Sequence, residues 1–177
     1  MKTAARVNVD TAVLDAKLAE LSRRLKRIDA KRPAGIKALS ADEDLQDILA
    51  RNLELSIQGC IDIAYHLCAA HGAVPPSAAK AFAVLGERGL IERALAQRLQ
   101  RAVGFRNVLV HEYTEVDWKI VMQVLRSGTR DLAEFGKAVV KLLDVESRAQ
   151  GGDGRSQGES SPFLKSKRST QSPASRP

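Results

Sequence analysis

The chain has few aromatic side chains: Phe, Trp and Tyr make up 4% of its 177 residues. A β-sandwich, whose strands favour aromatic and β-branched residues, is poorly supplied by such a composition. The 44% of hydrophobic residues is dominated by Leu, Ile, Val and Ala, a set that suits packed helices. Cysteine is almost absent as well, with only Cys60 and Cys68. No disulfide framework can be built from them, because at i and i+8 of one helix they lie too far apart along its axis to bridge. A reducing cytoplasm is the expected setting. No run reaches 18 apolar residues and the N-terminus lacks the apolar core of a signal peptide, so neither a membrane span nor export is expected. Period-two strand patterns, internal repeats and a G-x-G-x-x-G phosphate loop are all missing. His66 and His71 lie near the two cysteines, but the spacings complete no familiar four-ligand zinc set, so no metal or cofactor is expected.

What is present is helical periodicity. Leu14, Leu18, Leu21, Leu25 and Ile28 recur at fours and threes, predicting an amphipathic helix over residues 10–30 that stops before Pro33. A second, long helix is expected from Ser40, read as its N-cap, to about Ala70, with Leu49, Leu53, Ser56, Cys60, Ile63 and Leu67 on its inner face. Gly72 and Pro75-Pro76 end it. Residues 77–85 form a short helix closed by Gly86 and Gly89, and Leu95, Leu99 and Ala102 lie on a fourth. A fifth carries Trp118, Val121, Leu125, Gly128, Leu132, Phe135, Val139 and Leu142. The expected fold is therefore all-α, an antiparallel bundle of about five helices occupying residues 1–148.

From residue 149 the composition turns to Gly, Ser, Gln, Pro and basic residues without an apolar face, and a disordered basic tail, 149–177, is expected. The tail holds five basic and two acidic residues, so +3 of the net +7 charge belongs to it and +4 to the helical body. A moderately basic body favours a polyanionic partner, although plain soluble proteins often carry as much charge.

The most informative segment is Arg106-Asn107-Val108-Leu109-Val110-His111-Glu112-Tyr113. Cleaving RNA without a metal requires proton transfer to and from the reacting oxygens, and positive charge on the phosphorus centre. Imidazole titrates near pH 6.5, which fits His111 for the first task. A guanidinium never deprotonates and makes two parallel charge-assisted bonds, which fits Arg106 for the second. Five helical residues turn by about 500°, so these side chains start about 140° apart. Either Arg106 reaches around on its stem or the helix loosens before His111. Asn107 shares a face with His111 if the helix continues, and otherwise caps a helix end. Arg93, Arg98 and Arg101 precede the motif, where Arg101 in particular is read as a substrate-binding residue and the group equally as a solvated basic face. Asp62 needs a partner if buried, with Arg106 or a second copy of the chain as candidates. One histidine per chain falls short of the usual two proton-transfer groups, and a symmetric dimer would supply the second.

The spacing Arg-x4-His arises readily by chance, but its surroundings do not. The Arg106-Asn-x-x-x-His111-x-Tyr113 segment, with Cys60-Ile61-Asp62-Ile63-Ala64-Tyr65-His66-Leu67 before it and Val116-Asp117-Trp118 after it, resembles the HepT-like toxins, a branch of the HEPN ribonuclease superfamily. Val74-Pro75-Pro76-Ser77 followed by Phe82-x-x-Leu85 extends the resemblance, which covers roughly residues 10–145. It implies a HEPN-like helical domain that dimerises with both motifs lining one cleft, cuts RNA without a metal, and acts as a cytoplasmic toxin. The implied partner is a minimal nucleotidyltransferase antitoxin that silences the toxin by transferring AMP to the motif tyrosine, here Tyr113. In these terms Arg106 stabilises the phosphate and His111 moves protons. The alternative is a non-catalytic helical module that helps a nucleotidyltransferase recognise its substrate.

Overall fold

The computed structural model describes residues 9–111 and 116–150, without the side chains of residues 111 and 150. The described residues are helical throughout apart from short connections: α1 Thr11–Ala30, α2 Ile36–Ser40, α3 Glu43–Ala70, α4 Ala78–Glu87, α5 Arg93–His111, α6 Trp118–Gln123, a π-helical turn Val124–Gly128, and α7 Thr129–Gln150. The all-α expectation holds. The expected tail lies outside the described residues.

Helix α1 forms where its leucine ladder predicts. Asp10 caps it by accepting from the Val13 amide at 3.1 Å, and Leu14, Leu18, Leu21, Leu25 and Ile28 are all buried. Before α3 the chain makes the short α2, which the sequence reading missed. Ser40 closes α2, and the cap of α3 is Asp42, whose Oδ1 accepts from the Leu45 amide at 2.9 Å, with Glu43 and Asp44 following in the first turn. The expected cap at Ser40 is thus corrected to Asp42, because a carboxylate two residues on does the same task and leaves room for another turn.

Helix α3 is the central strut and packs against α1, α2, α4, α5 and α7. Its predicted inner face is buried at every position, and Asn52, Ile57, Ile61, Ala64 and Cys68 are buried as well, because neighbours surround more than one side of it. Buried polar groups there are satisfied locally: Asn52 donates to the Ile48 carbonyl at 2.6 Å and Ser56 to that of Asn52 at 2.7 Å. Lys17 near the start of α1 pairs with Asp62 near the end of α3 at 3.2 Å, so the two helices run antiparallel. Gln58 also donates to Asp62 at 2.8 Å. The partner of Asp62 is therefore Lys17, not Arg106.

Helix α4 runs on through Gly86 to Glu87, further than the sequence suggested. Gly86 is there for contact, since a Cβ would lie 2.8 Å from that of Ala96 on α5. The helix is stopped by Gly89, whose φ of +70° suits glycine. Phe82 of α4 meets Phe135 of α7 edge to face, with ring centroids 5.5 Å apart. The long C-terminal helix is one rod interrupted by the π-turn. At that turn the Leu125 carbonyl accepts from Thr129 Oγ1 at 3.2 Å and from the Arg32 guanidinium, which reaches over from the end of α1. At the opposite end of the rod, His71 Nε2 lies 3.2 Å from Glu146 Oε1, joining the ends of α3 and α7. Among the described residues, no helix is long and apolar enough to cross a membrane.

Candidate functional site

Helix α5 carries the motif and also forms a wall of the core. Leu95, Ala96, Leu99 and Val103 are buried against α3, α4 and α7. Arg106 follows Val103 by three residues, which sets it on the same side of the helix at the point where the core thins. It is half-buried, and its Nε is shut away from water with no hydrogen-bond partner among the described residues. A guanidinium N–H held this way is costly, since the desolvation of a charged donor is not offset by a bond.

The helix continues unbroken to His111. It does not loosen before the histidine, so positions 106 and 111 are about 140° and about 7.5 Å apart along a regular helix. Gly104, Asn107 and Val108 on this stretch are all exposed. Asn107 lies four residues inside the helix, not at its end. Helical phase alone therefore places the two motif positions on different sides of one α5. The side chain of His111, and Tyr113 entirely, lie outside the described residues.

The basic residues upstream divide into two kinds. Arg98 is engaged with α7: Nε donates to Asp131 Oδ1 at 2.8 Å and Nη2 to Glu134 Oε2 at 2.9 Å. The hydrogen bond to Asp131 raises its already high pKa further. Arg98 is thus a clamp between α5 and α7, its guanidinium taken up by two carboxylates rather than offered to a phosphate. Arg93 and Arg101 are exposed and make no ion pair among the described residues. Beyond the motif's apolar residues Leu109 and Val110 lies a hollow of about 580 Å³, closed on one side by Trp118 and on the other by Glu43, Asp47 and Glu54 of α3. Sequence reading missed this hollow, because the carboxylates belong to a helix more than fifty residues earlier in the chain.

Cys60 and Cys68 are both core residues, and burial pushes both thiols up from their ordinary range. Cys68 Sγ contacts the Ala81 carbonyl at 3.5 Å. Among the described residues no cluster of three or more His, Cys, Asp or Glu side chains could hold a metal ion.

An antiparallel helical bundle bearing an Arg-x4-His segment at the end of a core helix has the architecture of the HEPN proteins. Within that class the chain belongs to the ribonuclease HepT-like family, whose model matches residues 19–139. The mRNA nuclease HepT of Shewanella oneidensis is 33% identical over 120 residues, which is 67% of this chain and 90% of that protein. A solved structure of the tri-AMPylated S. oneidensis HEPN toxin in complex with its MNT antitoxin matches with a TM-score of 0.68 at 31% identity, covering 73% of this chain and 97% of that one. YutE of Bacillus subtilis, a cytosolic protein of unknown function, shares the fold with a TM-score of 0.69 at 18% identity, covering 78% of this chain and 93% of its own.

Proposed function

We propose that the chain is the toxin of a toxin–antitoxin pair and a metal-independent endoribonuclease. Arg106 neutralises the scissile phosphate and His111 transfers protons, with Asn107 and Arg101 as supporting contacts to the RNA. The observation that carries this reading is Arg106 itself: a permanently charged guanidinium, half-buried at the edge of the core in a chain of the HepT-like ribonuclease family, whose Nε has no partner among the described residues. A phosphate oxygen is the acceptor that the outer nitrogens of such a guanidinium select. The phase of α5 supports a homodimer, in which the arginine of one protomer and the histidine of the other face one cleft. Gly104, with no atom within 4 Å of a built Cβ, and the exposed Val108 offer a surface for that close approach.

Purified full-length protein should cut single-stranded RNA at an undiminished rate in excess EDTA. Cleavage abolished by the chelator and restored by a divalent metal would overturn the metal-independent mechanism. RNA binding without turnover would favour the non-catalytic module instead.

The partner in this reading is a minimal nucleotidyltransferase, because the S. oneidensis toxin was solved with an MNT antitoxin and in AMPylated form. Tyr113, two residues beyond His111, is the acceptor. AMP there would add phosphodiester charge and bulk beside the cleft and repel RNA phosphates. Mass spectrometry of the protein co-produced with that enzyme should show AMP on Tyr113, and modification confined to other residues refutes the assignment.

A further inference from the structure

Two hollows of opposite charge border helix α6. One is the hollow behind Leu109 and Val110, where Glu43, Asp47 and Glu54 outnumber Arg51, and Arg51 is taken up by Glu54 at 2.7 Å. The other is a hollow of about 360 Å³ between α2 and the π-turn, with Ile36 and Met122 in its wall. Lys119, Gln123 and Arg126 all line this one hollow. Lys119 and Arg126 are exposed and, like Arg93 and Arg101, have no acidic partner among the described residues. The nearby acids are already engaged: Asp117 Oδ1 caps α6 by accepting from the Lys119 amide at 2.8 Å, and Asp29 pairs with Arg32 at 2.6 Å. Arg126 has a fixed base, because Arg32 and Thr129 both hold the carbonyl of its neighbour Leu125.

We infer that this basic hollow is a second RNA contact, one that takes the phosphate–ribose backbone of the strand as it leaves the cleavage site. The inference rests on the ribonuclease reading above and adds where the strand goes. Trp118 and Val116 share the acidic hollow with Leu109 and Val110, so the start of α6 lies near the end of α5. A strand emerging there meets excess carboxylate at one hollow and two exposed cations beside Ile36 and Met122 at the other. A polyanion takes the second course. The pairing of cations with Ile36 and Met122 suits a nucleotide, which presents phosphate oxygens and an apolar sugar or base face together. A hollow of this size is within the range of small-ligand sites, about 300–1,000 Å³.

The test is the double charge reversal Lys119→Glu with Arg126→Glu in the full-length protein, assayed on a single-stranded RNA of about ten nucleotides. KM should rise about tenfold, and the slope of log affinity against log salt should become shallower by about 1.4, the loss of two phosphate contacts at about 0.7 each. The exchange Lys119→Arg with Arg126→Lys, which keeps the charges, should keep both parameters near the wild-type values. If the wild type cleaves but the reversal moves neither KM nor the salt slope, the inference is wrong while the ribonuclease reading stands. If the wild type does not cleave, the ribonuclease reading fails, and fluorescence anisotropy of labelled RNA decides the contact: equal affinity of wild type and reversal overturns it, and a tenfold loss upholds it. A reversal that leaves RNA binding intact but abolishes capture of the nucleotidyltransferase assigns the surface to that protein and overturns the inference.

Discussion

Alanine at position 111 is expected to abolish RNA cleavage, lowering kcat by about 10²–10⁴-fold, the usual size of a lost general acid–base group. Alanine at position 106 is expected to cost about 10²–10³-fold, as for loss of a principal electrostatic donor at a developing charge. The two variants should differ in stability. Arg106 holds a desolvated N–H without a partner among the described residues, so Arg106→Ala relieves an unfavourable burial. Its melting temperature should match or exceed that of the wild type while cleavage disappears. Such a separation identifies a residue held under strain for function rather than for packing. Arg106→Lys should not restore the rate, because an ammonium lacks the planar fork that grips two phosphate oxygens. Retained cleavage in His111→Ala would falsify the assignment of the histidine. Unfolding of Arg106→Ala would show instead that the arginine is part of the framework.

The second large effect concerns the bundle. Phe135 is fully buried, contacts Phe82 edge to face, and belongs to α7, the helix that closes the core against α1, α3 and α5. Phe135→Ala should destabilise the protein by about 3–5 kcal/mol, from lost transfer energy and the cavity left behind. Chemical denaturation followed by circular dichroism measures it. A loss below about 1 kcal/mol would mean that α7 can collapse onto the vacancy, and that the ring pair is not the anchor the geometry indicates. Phe135→Leu, which fills most of the space, should recover the larger part.

Much of this architecture is legible in the residues. The ladder Leu14, Leu18, Leu21, Leu25 and Ile28 is buried throughout, as is the predicted face of α3. Such ladders are local and repeat with the helical period, so one sequence suffices to read them. The C-terminal rod shows where this stops. Val121, Leu125, Leu132, Phe135 and Val139 are buried as the seam of threes and fours requires, yet at the far end Leu143 is buried and Leu142 only half-buried. A strict 3.5-residue seam drifts on a straight helix, and the π-turn shifts the phase again. No local pattern announces that turn, because it is stabilised by Arg32, which is 93 residues from Leu125 in sequence. The candidate site is less legible. The residue types at 106 and 111 show what chemistry they suit, but the half-burial of Arg106, the engagement of Arg98 by α7 and the two oppositely charged hollows arise from tertiary neighbours.

The unbroken course of α5 has a consequence for the cell. If one chain holds its guanidinium and its imidazole on opposite flanks, and the proposed homodimer is the active form, the rate of RNA cleavage scales with the square of protein abundance while the protein is scarce. A few stray copies would then do almost no harm, whereas a modest rise in synthesis, or slower decay of the partner, would carry the population across a threshold.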